Sequence, residues 1–306
     1  HDRPVDQHRR RFDDELTMRQ HPALDLKNMI SSGRLVRAPG AYDALTARLV
    51  QRAGFEAVYM TGFGATASRI GQPDIGLLTQ TEMCTHARDM VRAVQIPVIA
   101  DADTGYGGPS NIARTVDEYI QAGVAAIHLE DQVAPKRCGQ MAGIRLIDAV
   151  DNERRLRCAV AARGDRPLVI IGRTDALPAV GMDEAVSRAA RWLDAGVDLV
   201  FVDGVKTRSE VESIARRVRG PKVVSLVDGT DAASLTVQEL TEMGFLVVFY
   251  AVTALFAATQ AVHRALAHLQ QQGAPQLPAE WRMSYAEFTE VVDLPSHQKL
   301  DELYGA

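Results

Sequence analysis

The chain has 306 residues, of which 46% are hydrophobic, 24% charged and 6% aromatic. Those proportions are ordinary for a globular protein and exclude a disordered, collagen-like or disulfide-scaffolded chain. A formal net charge of −5, with both signs mixed along the chain, leaves no electrostatic footprint for nucleic acid.

The N-terminal stretch, residues 1–30, reads as a charged helical extension. It is rich in Arg and Asp and has no apolar run of signal-peptide type. The chain begins at His1, and the missing Met suggests a trimmed start. Beyond it one pattern recurs four times: a helix stopped by glycine, then a short apolar strand. The copies are AGFEAVYM at Gly54, AGVAAIHLE at Gly123, AGVDLVFVD at Gly196 and MGFLVVFY at Gly244. Glycine after an amphipathic run adopts the left-handed conformation that ends a helix. Between the copies lie four more apolar strands, at 35–38, 97–100, 168–172 and 222–226. Thr79 with Glu82, and Thr236 with Glu239, have capping-box spacing. Ser110 and Ser209 are candidate N-caps for two further helices.

Eight strands alternating with helices predict an α/β protein, a closed (β/α)8 TIM-type barrel over about 31–270. An open doubly wound sheet is the alternative, but no G-x-G-x-x-G follows the first strand. Residues 244–262 are uncharged and just long enough to cross a bilayer. Thr253, Thr259 and Gln260 interrupt that run, so it reads as a buried strand at 246–250 followed by a core-facing helix, with no membrane partner. The tail, 271–306, is Pro-punctuated and helical over 286–292, either a packing element or an arm that reaches a neighbouring subunit. No linker divides the chain, which predicts a single domain over 1–306. Cys84, Cys138 and Cys158 form an odd set without paired spacing, which suits a reducing, cytoplasmic setting.

A barrel of this kind places its active site at the carboxyl ends of the strands. The second strand is followed by Thr61, Gly62, Phe63 and Gly64, and the third by Asp101 and Asp103. The fourth ends in Glu130 and Asp131, the fifth in Arg173 and Asp175, the sixth in Asp203, and the seventh brings Ser225 and Asp228. Carboxylates converging on one mouth repel one another unless a cation is present. Oxygen donors without a strand-end histidine favour Mg2+ or Mn2+ over zinc. Any one of Asp103, Asp131 and Asp175 reads equally well as a helix cap. His128, inside the fourth strand, reads as barrel packing. The Arg173 fork matches a substrate carboxylate, and the glycines at 62 and 64 offer N–H groups to a second one, or simply make a turn. Cys138 sits in a polar, glycine-punctuated loop between cations and Gly139. It is either a low-pKa thiol on a mobile lid or an incidental surface cysteine. Cys84 and Cys158 read as packing residues.

Across residues 25–269 the sequence resembles the isocitrate lyase / phosphoenolpyruvate mutase superfamily. The motifs are P-G-A-Y-D-A at 39–44, Y-M-T-G-F-G at 59–64, Q-P-D at 72–74, D-A-D-T-G-Y-G at 101–107, H-L-E-D-Q at 128–132, P-K-R-C-G at 135–139 and G-R-T-D-A at 172–176. The cysteine loop is similar to that of the lyase branch, which contains 2-methylisocitrate and 2,3-dimethylmalate lyases. The resemblance implies a barrel whose eighth helix is swapped between subunits, in a homotetramer built as a dimer of swapped dimers. It implies Mg2+ held directly by Asp101 and partly through water by Asp103, Glu130 and Asp74. Thr61, Gly62, Phe63 and Arg173 would bind the 2-oxo-acid half of a small carboxylate, with Gly139, Asp203 and Ser225 completing the pocket. Tyr59 would lie beside the reacting oxygen, and Cys138 would protonate the departing enolate.

The implied reaction is cleavage of a carbon–carbon bond in a 2-hydroxy carboxylate, giving a 2-oxo acid and a carboxylate. Four departures bear on the substrate. Gln140 stands where these lyases carry His, Asp203 where they carry Glu, Ser225 where they carry Asn, and Ala251 where they carry Pro. The loss of polar contacts points to a substituted malate rather than isocitrate. The rival readings are oxaloacetate hydrolysis or decarboxylation, carbon–phosphorus mutase or hydrolase chemistry, and a non-catalytic carboxylate-binding barrel.

Overall fold

Eight parallel strands close into a barrel in strict chain order in the computed structural model, which describes residues 21–305. The strands are β1 (Val36–Ala41), β2 (Val58–Met60), β3 (Val98–Asp101), β4 (Ala126–Glu130), β5 (Val169–Thr174), β6 (Leu199–Val202), β7 (Lys222–Leu226) and β8 (Val247–Tyr250). β8 pairs back onto β1 through Val36↔Val247 and the three following pairs. All eight predicted strands form. β1 is longer than predicted, running through Pro39 and Gly40. Gly40 is required there, because a Cβ would strike the Ala251 carbonyl of the neighbouring strand end.

The four stop glycines all have left-handed backbone: φ is 82° at Gly54, 87° at Gly123, 94° at Gly196 and 76° at Gly244. Both predicted capping boxes form. The two serine caps do not. The helix Pro109–Ala122 is capped at Gly108, whose N–H is taken by the Asn111 side chain, and Ser110 lies inside its first turn. The helix Arg208–Arg217 is capped by Thr207 in a box with Glu210, which outcompetes Ser209. The uncharged run at 244–262 becomes buried β8 and the start of a helix. No helix among the described residues is long and apolar enough to cross a membrane.

Side chains alternate across each strand, which divides the core in two. Val36, Ile99, Ala126, Val169, Leu199, Val223 and Val247 point into the barrel, while Met60, Ile127, Ile170, Val200, Val224 and Val248 meet the helices. The helix Pro22–Ser31 buries Ala23 and Leu26 against the inner set and so plugs the barrel at the strand starts. The rest of the predicted N-terminal extension, residues 1–20, lies outside the described residues. At the other end of the chain, the 20-residue helix Thr253–Gln272 buries none of its residues, so it is not the core-facing helix that the sequence predicts. Val262 and Leu266 are 57% and 60% exposed. The short helix Tyr285–Val291 returns to the barrel wall, where Arg52 donates to the Glu290 carbonyl at 3.2 Å.

Candidate active site

The alternation that fills the barrel also selects which polar residues face its mouth. Two residues beyond each inner apolar residue, the inward position carries a functional group: Asp101 after Ile99, His128 after Ala126 (with Glu130 two further on), Arg173 after Ile171, Asp203 after Phe201, and Ser225 after Val223. Asp101, Arg173, Asp203 and Ser225 line a cavity of about 150 Å3 together with Tyr59, Thr61, Phe63, Asp74, Cys138, Gly139 and Gln140, while Glu130 and His128 lie buried behind it against Arg173 and Tyr59.

Asp101 is buried and fixed at both oxygens. Oδ2 accepts from the Gly62 N–H at 3.2 Å, and Oδ1 from the Asp103 N–H at 2.9 Å. Gly62 therefore spends its N–H on Asp101. A side chain there is excluded, since a Cβ would lie 2.5 Å from Asp101 Oδ2. Burial alone would raise the Asp101 carboxyl; His128, Lys136 and Arg173 outweigh it and hold the group below the usual carboxylate range. Lys136 is fully buried, with Nζ 2.7 Å from Asp74 and 2.9 Å from Asp103. Asp103 is nevertheless pushed up to about 6, burial prevailing over Lys136.

Arg173 is surrounded by carboxylates. It lies 2.8 Å from Asp175, 2.7 Å from Asp203 and 3.3 Å from Glu130. Burial opposes its charge, but Asp175, Asp203 and Glu130 hold the guanidinium firmly protonated. Burial raises Glu130 well above the ordinary range.

Below this layer the Tyr59 hydroxyl meets His128 Nε2 at 2.9 Å, and the Tyr59 ring stacks on Phe249 at 4.1 Å. Burial lowers His128 to about 4, so it is neutral, and its Nδ1 lies 3.7 Å from Asp101. His128 thus packs inside the barrel as expected, and it also holds the Tyr59 hydroxyl through Nε2.

The loop after β4 closes over the cavity. Cys138 donates its N–H to the Asp74 carbonyl at 3.1 Å. Gly139 rests on Asp203, Asp175 and Arg173 so closely that no Cβ fits. The low-pKa reading of Cys138 is corrected here. Burial pushes the thiol up to about 11, against the Gln140 N–H that lowers it. Cys138 is a protonated thiol in the cavity wall, not a surface cysteine. Cys84 is packed in the helix layer, and Cys158 donates to the Pro109 carbonyl at 3.4 Å.

Two strand-end carboxylates point elsewhere. Asp131 turns outward, accepts from Thr174 and the Asp175 N–H, and pairs with Arg188 at 3.0 Å. Asp228 accepts from Thr253 at the surface. None of Asp103, Asp131 and Asp175 caps a helix through its side chain. Lys136 escaped the reading of the sequence as a site residue, although it stands in the P-K-R-C-G motif. So did the apolar wall formed by Val227, Val252 and Phe256.

The donor set can be tested for a metal. Among the described residues, no three His, Cys, Asp or Glu side chains are placed closely enough to hold a metal ion by themselves. The chemistry of the set still fits a hard cation. Both Glu130 oxygens are buried with no hydrogen-bond partner among the described residues. An ammonium, Lys136, already sits between Asp74 and Asp103. Oxygen donors that do not all touch the ion suit Mg2+, which keeps several waters.

The fold and this site place the chain in the isocitrate lyase / phosphoenolpyruvate mutase superfamily, to which it belongs: the phosphoenolpyruvate phosphomutase family model matches residues 26–270. Among individual relatives, the 2,3-dimethylmalate lyase of Eubacterium barkeri is 37% identical over 92% of this chain and 98% of its own. A structure of oxaloacetate acetylhydrolase with the inhibitor 3,3-difluorooxalacetate is 33% identical, with a TM-score of 0.87 over 94% of this chain and 98% of that one. A phosphonopyruvate hydrolase captured with oxalate and Mg2+ is 29% identical, with a TM-score of 0.85 over 93% and 99%.

Proposed function

We propose that this protein is a Mg2+-dependent carbon–carbon lyase that splits a substituted malate into a 2-oxo acid and a second carboxylate. The observation that carries this reading is the Cys138 thiol in the wall of the same cavity as Tyr59 and Arg173, where burial favours its protonated form. A buried S–H at the mouth is what a leaving carbanion requires.

Asp101, with Asp103, Glu130 and Asp74 partly through water, would hold Mg2+, with Mn2+ as a substitute. The ion, when bound, lowers the pKa of the substrate hydroxyl and offsets developing charge. Arg173 and the Thr61–Phe63 turn orient the 2-oxo-acid half. The substrate hydroxyl passes its proton to the Tyr59 oxygen as the Tyr59 proton moves to His128 Nε2. The C–C bond then breaks, the C–O bond becomes C=O, and the electron pair leaves on the departing fragment. Cys138 delivers its proton to that carbon, and the resulting thiolate and imidazolium return to neutrality by exchange with water. The lid over Gly139 keeps water from intercepting the carbanion.

The apolar wall of Phe63, Val227, Val252 and Phe256 supports an alkyl-substituted leaving half over a tricarboxylate. The unburied helix Thr253–Gln272 supports exchange of that helix with a second copy, within a homotetramer. The test is 2-oxo-acid release with and without Mg2+ from alkylmalates, 2,3-dimethylmalate, 2-methylisocitrate, isocitrate and oxaloacetate. We expect Mg2+-dependent release from substituted malates, reduced ~10²–10⁴-fold in Cys138→Ser. Turnover of phosphonopyruvate with none of these substrates cleaved would refute the assignment.

A further inference from the structure

Gln132, two residues past Glu130, is buried and does not line the cavity. Its side chain makes two hydrogen bonds to a single residue of the loop. Nε2 donates to the Arg137 carbonyl at 2.7 Å, and Oε1 accepts from the Arg137 N–H at 2.9 Å. A carboxamide answers both the N–H and the carbonyl of one residue in this way because it offers a donor and an acceptor side by side without titrating, whereas a carboxyl group could do so only when protonated. Reversing the amide would set donor against donor and acceptor against acceptor.

The main chain at the same place holds the feet of the loop. Gln132 bridges Leu146 in antiparallel fashion, the Val133 N–H donates to the Arg145 carbonyl at 2.8 Å, and the Ile147 N–H to the Asp131 carbonyl at 2.8 Å. The feet are therefore fixed by a short ladder. The tip, with Cys138 next to Arg137, has no regular structure to hold it. Its other ties are the Lys136 ion pairs, the Cys138 N–H to Asp74, and the seat of Gly139.

We propose that Gln132 is a positioning residue whose carboxamide clamps the Arg137 peptide groups and so holds Cys138 in the cavity wall. Release of the clamp is the opening of the lid. The role of Cys138 as the proton donor rests on the lyase reading above, but the clamp is tested on the thiol itself and stands apart from it.

The experiment measures the rate at which iodoacetamide labels each cysteine of the full-length protein, followed by peptide mass spectrometry. Gln132→Met keeps the volume and removes both bonds; Gln132→Glu keeps the shape and turns the donor into a second acceptor facing the Arg137 carbonyl. Two net hydrogen bonds predict labelling of Cys138 about tenfold or more faster in Gln132→Met, with a smaller rise in Gln132→Glu. Cys84 and Cys158 serve as internal references and keep their wild-type rates. On a cleaved substrate kcat falls by a similar factor while KM changes little, since the thiol acts after binding. Cys138 labelled at the wild-type rate in both variants overturns the clamp, as does acceleration shared equally with Cys84, which would mean general loosening. A wild-type protein silent on every malate, yet with the labelling difference intact, would fail the lyase reading and leave the clamp standing.

Discussion

In and behind the inner wall of the cavity the carboxylates of Asp74, Asp101, Asp103, Glu130, Asp175 and Asp203 face two cations, Lys136 and Arg173. At the outer end Phe63, Val227, Val252 and Phe256 supply no charge. The two ends obey different energetics. Inside, every group depends on another for neutralisation, so removing one exposes the rest. Outside, the walls act one by one through volume. The inner end therefore sets the chemistry and much of the local stability, and the outer end selects among substrates that the chemistry allows.

The largest break in that contrast is Arg173→Met. It leaves Asp175, Asp203 and Glu130 without their shared counter-ion in a buried site. Loss of one partner of such a cluster costs about 3–5 kcal/mol, a Tm drop of roughly 5–10 °C, and turnover should vanish with it. A variant that melts like wild type would show that the carboxylates shed their charge by taking up protons, and that the inner end is not held by ion pairing.

Val227→Ala probes the other end. Removing two methyl groups from the wall should favour longer alkyl substituents on the malate. The ratio of kcat/KM for a longer over a shorter chain should move by about tenfold, since a methylene in an apolar pocket is worth about 1–3 kcal/mol. The Tm should hold close to that of wild type. An equal loss on all chain lengths would mean that the outer wall merely supports the inner end.

The same contrast separates what the sequence revealed from what it hid. The barrel was legible because its signals are local: glycine stops, capping boxes and apolar runs each lie within a few residues. Asp101, Asp103, Glu130, Asp175 and Asp203 were legible because each lies at or just past the end of its strand, whereas Asp74, in the loop after a helix, came only from the resemblance. The direction of Asp131 was also readable in principle. Adjacent strand residues face opposite sides, so with Glu130 pointing inward Asp131 had to point to the helices, where Arg188 awaits it. Lys136 and Cys138 were harder. Their charge states depend on a loop folding back over residues far away in sequence, Asp74 and Asp203 among them. The cations flanking Cys138 in sequence suggested a lowered pKa, yet Lys136 is spent on Asp74 and Asp103 and burial decides the matter. The outer wall escaped because Phe256 belongs to a helix that reads as a packing element.

The smallest expected effect concerns pH and joins the two ends. A proton donor fails as pH rises through its pKa, and burial places the Cys138 thiol at about 11. The thiol therefore stays S–H across the neutral and mildly alkaline range, and kcat should show no alkaline fall due to it below about pH 10. Water around the sulfur would remove the burial penalty and return the thiol toward its ordinary range near 8.5. A fall in kcat centred at pH 8 to 9 in the wild type would thus mean that the lid stands open during turnover. In Gln132→Met the alkaline limb should move down toward that range, because the loosened lid admits water to Cys138 while leaving Arg173 and the carboxylates of the inner end in place.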